Sequence, residues 1–235
     1  MQEIELVPLL YVQNELPLKF KLLPKFSAKT LMDYHIDKNE SVENERERWK
    51  AGKAQYAKGY PVRAAVFEAA TGIVKAEIRA TQMSIQRQFS SKDKVAFLNS
   101  QMPLGRAIFV LDQVYASMKE AQERRDEEKS KRWLANYDMA MSRLLADLMF
   151  LYEYNYTTGQ IRADFLPELS PEHDGWKIGF LPKIGVTEKK AKDFTKERGR
   201  LLARIQELYP NTPWAYFAER ESRRDVGMVW VAKKK

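Results

Sequence analysis

Between Trp133 and Tyr152 the residues Trp133, Tyr137, Met141, Leu144, Leu145, Leu148, Leu151 and Tyr152 recur mostly at three- and four-residue steps. Steps of that size fall on one side of an α-helix, whose turn holds roughly 3.6 residues. The face they make is broader than the stripe of an ordinary surface helix, so this helix is expected to be buried on more than one side. A chain built around such a helix must supply other amphipathic helices to cover it. That requirement points to a mostly α fold.

The covering helices are legible upstream. Ser41 to Lys58 predicts one, with Val42, Trp49, Lys53 and Tyr56 on one face and Glu43, Glu45, Arg46, Glu47 and Arg48 on a charged face. Ser41 fits its N-cap and Gly59 its stop. Pro61 opens a second helix whose stripe runs Phe67, Ala70, Val74, Ile78, Ile85 and Phe89. Ser90–Asp93 reads as a break before the short apolar segment Val95–Leu98. Pro103 opens a third helix, with Leu104, Ile108, Leu111, Tyr115 and Met118 inward. It runs into Glu120–Arg132, where charges alternate in sign, as in a solvated helical extension or a bend between helices. The central helix is expected to fray at Thr157–Gly159.

Residues 1–26 carry Pro8, Pro17 and Pro24, a density that forbids a helix and predicts an extended arm. Beyond the bundle, Pro167, Pro171, Gly175, Gly179, Pro182 and Gly185 predict an irregular connection. Then Phe194, Leu201, Leu202, Ile205 and Leu208 mark a helix from Thr187 that ends at Tyr209–Pro210. Thr212 caps, and Pro213 opens, a second short helix reaching about Ser222, with Trp214 as the wedge that sets the hairpin angle. Val226–Val231 reads as a short β-like tail. The expected fold is a helical bundle of about four long helices with an N-terminal extended arm and a C-terminal helical hairpin plus tail. Its parts are 1–40 (arm and lead-in), 41–165 (bundle), 166–186 (irregular connector) and 187–235 (basic hairpin and tail).

Catalytic inventories fail one by one. The chain has no cysteine, which excludes disulfides, thiolate zinc sites and a thiol nucleophile. Its two histidines, His35 and His173, have Met32 and Ser170 three residues before them, so the Glu-x-x-His pairs of a di-iron bundle are absent. Neither a Gly-x-Ser-x-Gly elbow nor a phosphate-binding glycine loop occurs. Asp147 and Glu153 interrupt the apolar face of the central helix and are candidate buried acids, with Arg143 or Lys75 as ordinary partners. Trp49, Trp133, Trp176, Trp214 and Trp230 fall in five separate segments, as expected of core packing. No enzyme activity, cofactor or metal is therefore expected. Met1 leads straight into Glu3 and Glu5 without the pattern of a signal or transit peptide, and no apolar run reaches the ~18 residues of a membrane helix. The expected setting is cytoplasmic.

Net charge is +8, and +7 of it lies from Lys183 onward, where 14 basic residues face 7 acidic ones. Lys192, Lys196, Arg200 and Arg204 follow one another at i, i+4 and share a helix face. Such a stripe could follow a phosphate backbone. Glu188, Asp193 and Glu197 lie one turn away and offset it, and no aromatic residue stands beside it to stack a base. The expected function is a non-enzymatic helical scaffold or protein–protein interaction module, binding a protein partner or itself. The alternative is nucleic-acid or anion binding through the basic hairpin.

Three short motifs carry a resemblance. Arg132-Trp133-x3-Tyr137-Asp138, Glu153-Tyr154-Asn155 with Trp176, and above all Tyr209-Pro210-Asn211-Thr212-Pro213-Trp214-Ala215 followed by Ala218-Glu219-Arg220-Glu221 are similar to one helical region. It is the C-terminal helical region of planctomycete proteins that carry a von Willebrand factor A domain. The ion-binding Asp-x-Ser-x-Ser of the A domain itself is absent, and the tail Val226-Gly227-Met228-Val229-Trp230 is looser than the family's. The resemblance implies a helical module that works beside another domain, or a stand-alone relative of one. It implies no transferable activity.

Overall fold

The computed structural model describes residues 42–76, 78 and 84–235. The arm expected at 1–40 and the Ser41 cap lie outside the described residues. In chain order the elements are α1 (Val42–Ala51), α2 (Lys53–Gly59), α3 (Pro61–Lys75), β1 (Ser84–Gln86), α4 (Ser91–Ser100) and α5 (Met102–Glu123). A 3-10 turn (Arg125–Glu127) leads to α6 (Lys131–Arg162), β2 (His173–Leu181), α7 (Lys189–Leu208), α8 (Pro213–Ser222) and β3 (Gly227–Lys234). The fold is mostly α, with a small antiparallel sheet in the order β1-β2-β3.

The 32-residue α6 is the axis of the molecule. Its helical neighbours are α3, α5, α7 and α8, and Trp133, Tyr137, Leu144, Leu145 and Leu148 are fully enclosed. The main core joins α6 to α1, α3, α5 and the sheet. A second cluster, including Ala135, Met139, Leu202, Ile205 and Trp214, fastens the hairpin α7–α8 to the first turns of α6. Close helix crossings rest on small residues. A side chain at Gly72 would put its Cβ 2.5 Å from Cγ2 of Val114 on α5, so α3 and α5 meet at that glycine.

Several expectations change. The first helix divides at Gly52, and Glu45, placed on the charged face, is buried. It stands four residues before Trp49 and so shares the inward face. Its carboxylate accepts from the Tyr56 hydroxyl and lies 3.6 Å from Arg63. The second helix stops at Lys75. Ile85 belongs to β1 opposite Trp176, and Phe89 leads into α4, whose start is a capping box between Ser90 and Asp93. The Glu120–Arg132 stretch is a bend, but it is not simply solvated. Glu128 accepts two hydrogen bonds from Arg63, at 2.7 and 3.2 Å, and Arg132 is buried.

The 166–186 connector is not wholly irregular either, because β2 occupies its middle. Gly175 is what makes the pairing possible: a Cβ there would fall 2.1 Å from the carbonyl oxygen of Ile85. The glycines read as punctuation are here points of close strand approach. Likewise α6 does not fray at Thr157–Gly159. Thr158 donates back to the Tyr154 carbonyl, Thr157 donates to the Met228 carbonyl, and the Trp230 indole donates to the Thr157 carbonyl. Strand β3 thus holds the end of α6 in place.

Candidate functional site

Where the C-terminal end of α3, the middle of α6, the α7–α8 hairpin and the sheet meet, they leave a cleft of about 680 Å³. Ile73, Met149, Phe150, Phe180 and Met228 make its apolar wall. The opposite wall is ionic. Glu221, at the end of α8, receives Arg198 at 3.0 Å and Arg224 at 3.0 Å, with Arg143 at 3.9 Å. Arg143 also reaches Asp147, one turn along α6, at 3.3 Å. Val74 and Phe180 line the cleft and stand exposed, Phe180 at 51%.

A cleft of this size, apolar on one side and polar on the other, has the proportions of a binding site. Two of its carboxylates, Asp147 and Glu221, are matched by guanidinium groups, while Asp225 stands exposed in the lining. Among the described residues no group of three or more His, Cys, Asp or Glu side chains could hold a metal. The Arg198–Glu221 pair is buried on both sides and also bonds the Glu221 carbonyl at 2.9 Å, so it fixes α7 against α8. In such a pair the desolvation cost offsets much of the attraction, and its main contribution is to position.

Burial lifts the Asp147 carboxyl above its ordinary value of 3.8. Arg143 pulls it part of the way back, Glu221 adds to the rise and Arg224 opposes it. Folded Asp147 therefore keeps its proton to higher pH than the unfolded chain does, and its contribution to stability falls as pH rises above about 3.8. Asp147→Asn removes that slope. Urea unfolding of both proteins at stepped pH should show the variant gaining on the parent as pH rises above about 3.8. A difference that stays flat or shrinks over that rise would contradict the assignment.

The residues singled out by sequence fall into three places. Lys192, Lys196 and Arg200 are exposed on α7, away from the cleft. Arg204 is half-buried and ion-paired with Asp138, a fully enclosed carboxylate that also accepts from Arg125 at 3.0 Å and from the Tyr209 hydroxyl at 3.1 Å. Burial raises the Asp138 carboxyl, and the two arginines work against that rise. Thr212, Pro213 and Trp214 sit as the hairpin reading expects. Thr212 Oγ1 accepts from the Ala215 amide at 3.4 Å, Pro213 is in the first turn, and Trp214 is buried with its indole donating to Asn136 Oδ1 at 3.0 Å.

Both candidate acids are buried, and one has an unforeseen environment. Asp147 has its Arg143, but the two Glu153 oxygens are shared by the backbone amides of Gly185, Val186 and Met228, not by Arg143 or Lys75. His173 opens β2, its Nδ1 2.6 Å from Ser170 Oγ, while the Glu172 carboxylate lies 4.0 Å from Nε2 and is largely exposed. That contact spans one turn and lies at the surface. Sequence reasoning missed Arg198, Glu221 and Arg224. Only the i, i+3 spacing of Glu221 and Arg224 was visible, since Arg198 comes from the other arm of the hairpin.

No family model, curated protein or solved structure matches this chain. Among the described residues no helix is long and apolar enough to cross a membrane.

Proposed function

We propose that this protein is a non-enzymatic helical interaction module whose cleft takes an amphipathic segment of a protein partner. The observation that carries this reading is the two-sided cleft, with Phe180 exposed in its lining and the ionic wall already neutralised from within. A segment that laid one large apolar side chain against Phe150, Phe180 and Met228 would bury surface now in water. Arg224 supports the polar half of the contact: it gives one donor to Glu221, its side chain is 63% exposed, and a guanidinium has five donors to offer. Backbone carbonyls of the guest are the acceptors it would meet. A cytoplasmic setting goes with this reading, and cell fractionation tests it.

The residues that carry the von Willebrand-associated resemblance also belong to the proposal. Trp133, Tyr137, Asp138, Glu153 and Trp214 are buried structural residues, so kinship with that helical region would concern the packing and not a reaction. A phage-displayed peptide selection on the whole chain tests the proposed function. Enriched peptides should be amphipathic, and their affinity should fall at least about tenfold for Phe180→Asp, a change of roughly 1.4 kcal/mol. The reading is wrong if nothing is enriched or if the peptides bind Phe180→Asp equally well. It is also wrong if light scattering gives a salt-independent dimer that Phe180→Asp dissociates, because the occupant would then be a second copy of the chain.

A further inference from the structure

A second concavity, of about 510 Å³, runs between α5 and α7 and shares no lining residue with the cleft. Lys119, Lys196, Arg200 and Arg204 line it, with Gln122, against Asp193 and Glu197. Four cations therefore face two carboxylates. One carboxylate is already engaged, because Glu197 accepts from Lys119 at 3.1 Å and from the Tyr115 hydroxyl at 2.7 Å. Beneath the groove Asp138 is shared by Arg204 and Arg125, which leaves the local balance unchanged.

Donors outnumber acceptors here. Among the described residues Arg204, which lines the groove, has its Nε buried without an acceptor, while Lys196 and Arg200 stand exposed at the rim. The geometry points to the α5–α7 groove as a binding site for a compact phosphate polyanion, held by Lys196 and Arg200 with Arg204 and Gln122 behind them. Guanidinium and ammonium groups converging on one concavity suit clustered phosphate oxygens. Among the described residues no aromatic side chain lines the groove, so a base would find nothing there to stack on. The site is concave, and Lys192, the first residue of the helical stripe, does not line it. Both features favour a condensed phosphate chain over a duplex lying along the helix.

The test is calorimetric titration of the whole chain with sodium tripolyphosphate, with inorganic phosphate and a short duplex of DNA or RNA as parallel arms. Tripolyphosphate should bind more tightly than inorganic phosphate and weaken steeply between about 50 and 200 mM salt. Lys196→Ala/Arg200→Ala should lose at least about tenfold in affinity. Lys189→Ala/Lys192→Ala removes the same charge from the same helix outside the groove, and it should bind as the parent does. All four side chains are exposed, and circular dichroism checks that both variants fold. No binding of tripolyphosphate at low salt overturns the proposal. So does equal weakening by the two double variants, or a duplex that binds more tightly than tripolyphosphate and responds to both alike.

Discussion

Trp214→Ala is expected to destabilise the protein by about 3–5 kcal/mol, a large share of the ~5–15 kcal/mol that holds a domain together. Trp214 is fully enclosed, at 0% exposure, between α8 and the start of α6. Its ring completes the cluster of Ala135, Met139, Leu202, Ile205 and Phe217. Truncation opens a cavity there and leaves Asn136 Oδ1 without its indole donor. Trp214→Phe separates the two losses. It keeps most of the packing and should cost about 1–2 kcal/mol, mainly for the orphaned carboxamide. Urea unfolding midpoints measure both. If the alanine variant loses less than about 1.5 kcal/mol, Trp214 is not the anchor of the hairpin and the site can collapse around its absence.

The second large effect is expected at Glu153. Oε1 accepts from the Val186 amide at 2.7 Å, and Oε2 from Gly185 at 3.0 Å and Met228 at 3.2 Å. One buried carboxylate thus clasps the segment that leaves β2 and the strand that enters β3, both onto α6. Each amide loses a charge-assisted bond in Glu153→Ala, and a buried donor left without an acceptor costs about 1–3 kcal/mol. The variant should therefore lose at least about 3 kcal/mol in urea unfolding. The Val186 and Met228 amides should exchange with solvent far faster relative to amides in the middle of α6. A loss below about 1 kcal/mol, with both amides still protected, would mean that the strands hold themselves.

The central helix was readable because its own residues carry the pattern. Apolar positions at three- and four-residue steps over 20 residues specify a helix whatever it packs against, and α6 is that helix. The α8 start was equally readable, since Thr212, Pro213 and Trp214 act on their own first turn. Ile85 shows where local reading fails. Its spacing from Ile78 fits a helix, yet it lies in β1, because what holds it is pairing with Trp176 far along the chain. β2 was hidden for the same reason: Gly175 looks like a loop residue until Ile85 is found pressed against it.

The sites divide along the same line. The basic stripe was visible as i, i+4 spacing, but the structure splits it: Arg204 turns inward to Asp138, Lys192 stays outside the groove, and Lys119 joins from α5. The cleft was invisible, because its ionic wall draws on α6, α7 and α8 and its apolar wall on α3, α6 and both long strands. By itself the sequence determined the central helix, most of the helices around it and the hairpin cap, since these depend on residues within a turn or two of one another. Only the tertiary structure decided which charges are buried and paired, where the strands register and where concave surfaces remain. Those depend on contacts between segments distant in the chain, and no local spacing records them.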